Sequence, residues 1–169
     1  KDLLTQMSVW AVREEIVTNN FAKYIKVQST KPKEKETFTP TPDEIKLLED
    51  SQDDAAKIIL MLLATGMRIG ELFKLPLADY HGKYVIGGEK TEAGKNRVIP
   101  IRPEGRKYFE YFAALSSGKY LLLDGYDGNH DVANFRKREY YPLLQYLGIK
   151  RKTPHATRHT YASRAVREG

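Results

Sequence analysis

Residues 55–66, AAKIILMLLATG, hold a single charged side chain, Lys57, in twelve positions. A segment of that length and composition is apolar on nearly every side, so it forms a stable helix only if other elements enclose it. Gly66 closes it, because glycine adopts the left-handed conformation of a helix C-cap without steric cost. The fold must therefore be wrapped around this segment. The chain of 169 residues is long enough for one domain with such a core.

The sharpest break lies upstream, at 29–42, STKPKEKETFTPTP. Three prolines, alternating charges and few apolar groups give it the composition of a linker. Before it, Leu3, Leu4, Met7, Ala11, Val12 and Ile16 recur at helical spacing. One helix has nothing of its own to bury that face against. Residues 1–28 are therefore read as the C-terminal remnant of a separate helical domain, the alternative being an N-terminal helix packed on the main domain. Thr41-Pro42-Asp43-Glu44 then supplies a capping hydroxyl, a proline in the first turn and a carboxylate that reaches back, the start of a helix. This leaves 29–40 as the linker and 41–169 as the main domain.

Within that domain RIGELFKL predicts a short helix directly after Gly66. Tyr84–Gly88 and Arg97–Ile101 read as strands joined by the polar connection KTEAGKN. Helices are expected over 103–115, over 130–147 up to Gly148, and from Pro154 to Arg167, with a short strand at Tyr120–Leu123. GYDGNH at 125–130 reads as a turn. The fold class is mainly α with a small antiparallel β-hairpin, an α+β domain.

Composition excludes several chemistries. The chain has no cysteine, so disulfides, thiolate metal sites and cysteine nucleophiles are ruled out. The carboxylates form no compact acidic set for a divalent cation. His81, His130, His155 and His159 show no ligand-like pairing with them, so neither metal nor cofactor is expected. No apolar run approaches the roughly 20 residues of a membrane span, and KDLLTQMSVW lacks the pattern of a secretory signal. A cytoplasmic protein is expected. Lys plus Arg exceeds Asp plus Glu by 28 to 22, and the charge is polarised. Residues 42–54 hold six carboxylates against Lys46, whereas residues 148–169 hold six cations against Glu168. Solvated faces account for most such runs, but a basic edge also suits a polyanion.

Three places could carry chemistry. Arg68, between Met67 and Ile69 in ATGMRIGEL, is expected to be largely enclosed at the start of a helix, where a phosphate oxygen would match both its guanidinium and the free backbone N–H groups. Glu71 could hold it by an ion pair, which is also the reading that needs no ligand. His155 and Arg158 sit at i and i+3 near the start of the last helix and face the same way, able to bind a phosphate and exchange a proton. A helix-capping histidine and a surface arginine remain the plainer alternative. Lys90, at the end of the first strand, could reach a phosphate from its hairpin and donate a proton to a departing alkoxide, or be merely solvated. Lys95 and Arg97 nearby could touch DNA phosphates.

Arg68 in ATGMRIGEL, Lys90 in EKTEAGKNRVIPI, and His155 with Arg158 in TPHATRHTYASRAVREG follow one another in an order that resembles the catalytic domain of tyrosine recombinases, the phage and transposon integrases. The resemblance covers roughly residues 40–169. It implies that Arg68 and Arg158 bind the scissile phosphate, that His155 hydrogen-bonds it and assists proton transfer, that Lys90 protonates the leaving 5′ oxygen, and that Glu71 supports Arg68. It implies double-stranded DNA as partner, with further contacts from Lys95, Arg97, Lys150, Arg151 and Lys152, and a homotetramer on DNA. It also makes 1–28 the end of a helical core-binding domain, and suggests a bacterial or phage origin with a nucleoid-associated location.

The family's later His or Trp and its nucleophilic tyrosine have no counterpart before Gly169. Tyr161 matches a core aromatic of the family, and is expected to pack inward. The expectation is a site-specific recombinase acting through a 3′-phosphotyrosyl intermediate, present here as an inactive, monomeric fragment or without its tail. A type IB topoisomerase and a non-catalytic DNA-binding protein of the same fold are the competing readings. Duplex binding measured by fluorescence anisotropy should fall steeply with added salt, since phosphate contacts release counterions. Binding indifferent to salt would point to another kind of partner.

Overall fold

The computed structural model describes residues 2–25, 40–88, 96–122 and 131–168. The chain divides into two compact units, Lys1–Lys35 and Glu36–Gly169. The first consists of α1 (Asp2–Arg13) and a 3-10 turn at Phe21–Tyr24, which Asn20 caps by accepting from Ala22 N–H. Ile16, expected on the same helix, lies beyond its end. Leu3, Leu4, Met7 and Trp10 on α1 are more than half exposed.

The second unit is built around the apolar segment 55–66. Its elements are α2 (Pro42–Asp50), α3 (Asp54–Thr65), α4 (Ile69–Phe73), β1 (Tyr84–Gly87), β2 (Arg97–Pro100), α5 (Pro103–Leu115), α6 (Val132–Phe135), α7 (Tyr141–Tyr146) and α8 (His155–Glu168). Thr41 caps α2 as its sequence predicts. Its hydroxyl accepts from Glu44 N–H, and the Glu44 carboxylate accepts from Thr41 N–H at 2.8 Å. Helix α3 is buried from Ala55 to Thr65 except for Lys57, which is only half-buried, and packs against α2, α5 and α8. Lys57 is accommodated because its ammonium turns back to Asp54 at 2.7 Å and lies over the Tyr111 ring.

The β element is a single antiparallel pair with Val85 opposite Ile99 and Gly87 opposite Arg97. A two-stranded ribbon alone is marginal in water. Here Val85 and Ile99 are buried in the core, and Arg102 N–H bonds to Ala64 O, tying the exit of the hairpin to the end of α3. The strand expected at Tyr120–Leu123 is reduced to an isolated bridge between Pro76 and Tyr120. The linker expected at 29–40 and the turn at 125–130 lie almost wholly outside the described residues.

The helix expected over 130–147 is interrupted. Between α6 and α7 the backbone makes a π-helical stretch, Arg136–Tyr140. Pro142 explains it. Proline lacks the N–H that would bond to the Arg138 carbonyl, and its ring crowds that carbonyl, so the preceding turn widens. Among the described residues no helix is long and apolar enough to cross a membrane.

Two glycines allow the helices to approach. Gly66 caps α3 at φ +63°, and a Cβ there would stand 2.5 Å from the Tyr161 ring of α8. A Cβ on Gly105 would collide with Ala64 Cβ, so Gly105 permits the close crossing of α3 and α5. An exposed helical Gly→Ala change gains about 1 kcal/mol from propensity. At Gly105 the overlap should reverse that sign, and Gly105→Ala is expected to cost roughly 1–3 kcal/mol. Urea unfolding would measure it, and Ala64→Gly in the same chain should restore most of the loss.

Candidate active site

The end of α3, the start of α4, the start of β2 and the first turns of α8 meet at one place. Arg68 follows Gly66 and Met67 and occupies the N-cap position of α4 in an extended conformation. Its side chain is 41% exposed, which corrects the expectation that it is largely enclosed. Met67 and Leu72 take the buried positions around it, while Arg68 precedes the helix and points out of the core. The buried member of the pair is Glu71, whose side chain is 7% exposed. Its Oε1 accepts from Arg68 Nη1 at 2.7 Å and its Oε2 from Arg68 N–H at 3.1 Å. The carboxylate thus fills the start of α4, where an external anion was expected to find free N–H groups.

Glu71 has a second partner that sequence reasoning missed. Arg97 Nη2, on β2, donates to Glu71 Oε2 at 3.2 Å. Nothing local signals this pairing, because the two residues come together only when the hairpin docks. Burial pushes the Glu71 carboxyl up, but the hydrogen bonds from Arg68 and the charges of Arg97 and Arg68 outweigh it and hold the group below its ordinary range.

His155 and Arg158 lie on the first turns of α8, with the i, i+3 relation read from the sequence. Arg158 Nη1 donates to the Gly66 carbonyl at 2.8 Å, joining α8 to the end of α3. Burial, and then the neighbouring charges of Arg68 and Arg97, lower the Arg158 pKa, with Glu71 opposing them. The arginine remains a cation at any working pH. His155 is exposed, and burial of its ring, His159, Arg68 and Arg158 all lower its pKa. The ring is therefore held toward its neutral form, free to accept or relay a proton.

Among the described residues, the arginines and His155 of this cluster line openings to solvent. One, of about 560 Å³, is lined by Arg68, Glu71, Lys74, Val132 and His155. The other, of about 300 Å³, is lined by Gly66, Arg97, Arg158 and Tyr161. Tyr161 is half-buried in the wall of that opening, its ring over Gly66 and 5.5 Å from the Arg102 guanidinium. This corrects the expectation that it packs inward. Helix α8 presents Ala156, Thr157 and Thr160 to the core instead.

The structure thus brings together Arg68, Glu71, Arg97, His155 and Arg158. Lys90 and Lys95 lie outside the described residues. Lys150, Arg151 and Lys152 fall in the segment between α7 and α8. Arg151 lines a separate cavity of about 420 Å³ with Arg136, Lys137 and Tyr141, its guanidinium 4.1 Å from the Tyr141 ring centroid. Arg136 Nη2 donates to Tyr141 Oη at 2.9 Å. The run Arg136-Lys137-Arg138 was the available signal for this second basic place. Among the described residues no group of three or more His, Asp or Glu could hold a metal ion. Three guanidiniums, an imidazole and a shielded carboxylate, divided between two neighbouring openings, suit an anionic ester, whose charge they can neutralise as it grows.

The sequence profile of the phage integrase family matches residues 28–169. The chain is 29% identical over 117 residues to the tyrosine recombinase XerD of Halalkalibacterium halodurans, covering 64% of this chain and 39% of that protein. It is 33% identical over 122 residues to the tyrosine recombinase XerA of Thermococcus kodakarensis, covering 66% and 41% respectively. The chain therefore spans about two fifths of these relatives. A solved structure of the Tn1549 transposon integrase with circular intermediate DNA superposes with a TM-score of 0.67 at 21% identity, covering 98% of this chain and 64% of the other. That likeness is one of fold.

The titration of His155 tests the site's electrostatics. Its midpoint, followed by NMR, should lie below the ordinary histidine value of about 6.5. His159→Gln should raise it by removing a neighbour that disfavours the charged ring. Because the folded-state pKa is depressed, the unfolded chain binds the proton more readily. His155 therefore makes the fold less stable as pH falls through that window.

Proposed function

This chain belongs to the phage integrase family, and on that premise we propose that it forms the phosphate-binding part of a site-specific DNA recombinase that cuts and rejoins DNA through a 3′-phosphotyrosyl intermediate. The convergence of Arg68, His155 and Arg158 from elements far apart in the sequence, around openings they line themselves, is the observation that supports it. In this reading the two guanidinium forks bind the non-bridging oxygens of the scissile phosphate. They bind more tightly as negative charge accumulates, and that differential binding lowers the barrier. Glu71 fixes the Arg68 fork. His155, held toward neutrality, hydrogen-bonds the phosphate and passes the proton taken from the attacking hydroxyl. Lys90 protonates the leaving 5′ oxygen from the hairpin.

Duplex DNA is the substrate. Lys95, Lys150, Arg151 and Lys152 contribute phosphate contacts that position it without reading sequence. Residues 1–28, with an apolar face exposed on α1, close a helical core-binding domain; 29–40 are the linker and 41–169 the catalytic domain. The recombinase assembles as a tetramer on DNA, and residues 1–169 alone are monomeric.

The nucleophile must stand in line behind the phosphorus, opposite the leaving oxygen. Tyr161 does not fit that role, since its ring is laid across Gly66 beside Arg102. Residues 1–169 by themselves are expected to bind a duplex and to leave it uncut. Incubation with a nicked suicide duplex, followed by denaturing gel electrophoresis, should show no covalent protein–DNA adduct. An adduct would mean that one of the tyrosines present is the nucleophile. Failure to bind duplex DNA at low salt would remove the reading itself.

A further inference from the structure

The position of Arg97 two residues after Lys95 makes it look like one more contact to a DNA phosphate, but its surroundings differ from those of a surface cation. Its side chain is 34% exposed, and Nη2 is committed to the buried carboxylate of Glu71. Its Nε–H is buried and finds no acceptor among the described residues. It lines the opening that also holds Arg158, and its charge acts on Arg158 directly. We propose that Arg97 is a positioning residue of the phosphate site: from the start of β2 it grips Glu71 Oε2, holding the carboxylate that orients Arg68, and it adds a third positive charge beside the reacting phosphate. The proposal rests on the phosphate-site reading above.

Geometry carries the first half. Glu71 has two oxygens and three donors. Oε1 serves the Arg68 guanidinium, while Oε2 is shared between Arg68 N–H and Arg97 Nη2. The Arg97 bond comes from a different element, so it fixes the carboxylate's rotation in a way the two bonds from Arg68 do not. It also joins β2 to the turn that bears Arg68. Charge carries the second half. Arg68, Arg97 and Arg158 against Glu71 leave a surplus of two positive charges with His155 neutral. A phosphodiester carries one negative charge and gains a second as an anionic oxygen adds to it. An added positive charge beside the phosphorus stabilises the later state more than the earlier one, as transition-state complementarity requires.

Inorganic phosphate is the probe, followed by NMR at the Nε–H signals of Arg68 and Arg158, with the Glu71 side-chain carbon as a second readout. Arg97→Gln should raise the Glu71 titration midpoint toward the ordinary carboxylate range, move the Arg68 signal in the absence of phosphate, and weaken phosphate binding by about tenfold, the scale of one charge-assisted hydrogen bond. Arg97→Lys should keep Glu71 low and recover most of the binding. In the unmutated chain phosphate should move the Arg97 Nε–H signal less than those of Arg68 and Arg158, a measurement that holds even if Arg97→Gln does not fold. Equal movement of all three, or weakened binding with Glu71 and Arg68 unmoved, would make Arg97 a direct ligand contact and overturn the proposal. So would an Arg97→Gln chain that is unchanged in every readout. If the unmutated chain shows no phosphate response at Arg68 or Arg158 while Glu71 still responds to Arg97→Gln, the phosphate-site reading fails and the pairing is purely structural.

Discussion

The carbonyl oxygen of Gly66 accepts from Arg158 Nη1 at 2.8 Å, and the geometry around the candidate site depends on that bond. It is made by the C-cap residue of a buried helix to the guanidinium of another helix that follows much later in the chain. A hydrogen bond to a charged donor contributes on the order of 1.5–3 kcal/mol. Its larger effect is positional. Gly66 turns the chain from α3 toward Arg68, leaves room for the Tyr161 ring because it has no side chain, and anchors Arg158 through its oxygen. Arg68 and Arg158 come together because one residue serves all three purposes.

Bringing like charges together has to be offset, and Glu71 does most of that work. Its carboxylate is buried whereas the arginines it holds are part-exposed. An unpaired buried carboxylate would be costly, so burial makes Glu71 hold its partners firmly. The exposed sides of the guanidiniums are left toward the openings. Had Arg68 been the buried member, as its apolar neighbours Met67 and Ile69 imply, its hydrogen-bonding capacity would have been consumed inside the fold. The arrangement found keeps the cations accessible and hides the anion.

Much of the scaffold was legible in the sequence because its signals are local. The Thr41 cap, the apolar run of α3, its glycine stop and the paired β segments each follow from residues within a few positions of one another, and each is present. The i, i+3 relation of His155 and Arg158 is of the same kind. What was not legible depends on distant partners. The exposure of Arg68 follows from where Glu71 points. The Arg97 bond spans separate elements, and Tyr161 lies at the wall of an opening because Ala156, Thr157 and Thr160 occupy the inward face of α8. The π-helical stretch falls between these cases. Pro142 announces that regular α-helix must fail nearby, but whether the helix ends or merely widens is settled by the packing of Phe135 and Tyr140, which are both buried.

The seating of α8 has a dynamic consequence. The small side chains Ala156, Thr157 and Thr160 form its buried face, and both threonine hydroxyls are spent on the helix's own backbone carbonyls. Such a face removes little apolar surface from water, so its local opening free energy lies well below that of the α3 core. Every excursion of α8 from its seat withdraws Arg158 and His155 together while Arg68 and Glu71 stay behind on α4. Half of the candidate site is thus mounted on the steady centre of the domain and half on a more lightly held helix, so the complete cluster exists only as often as that helix is home.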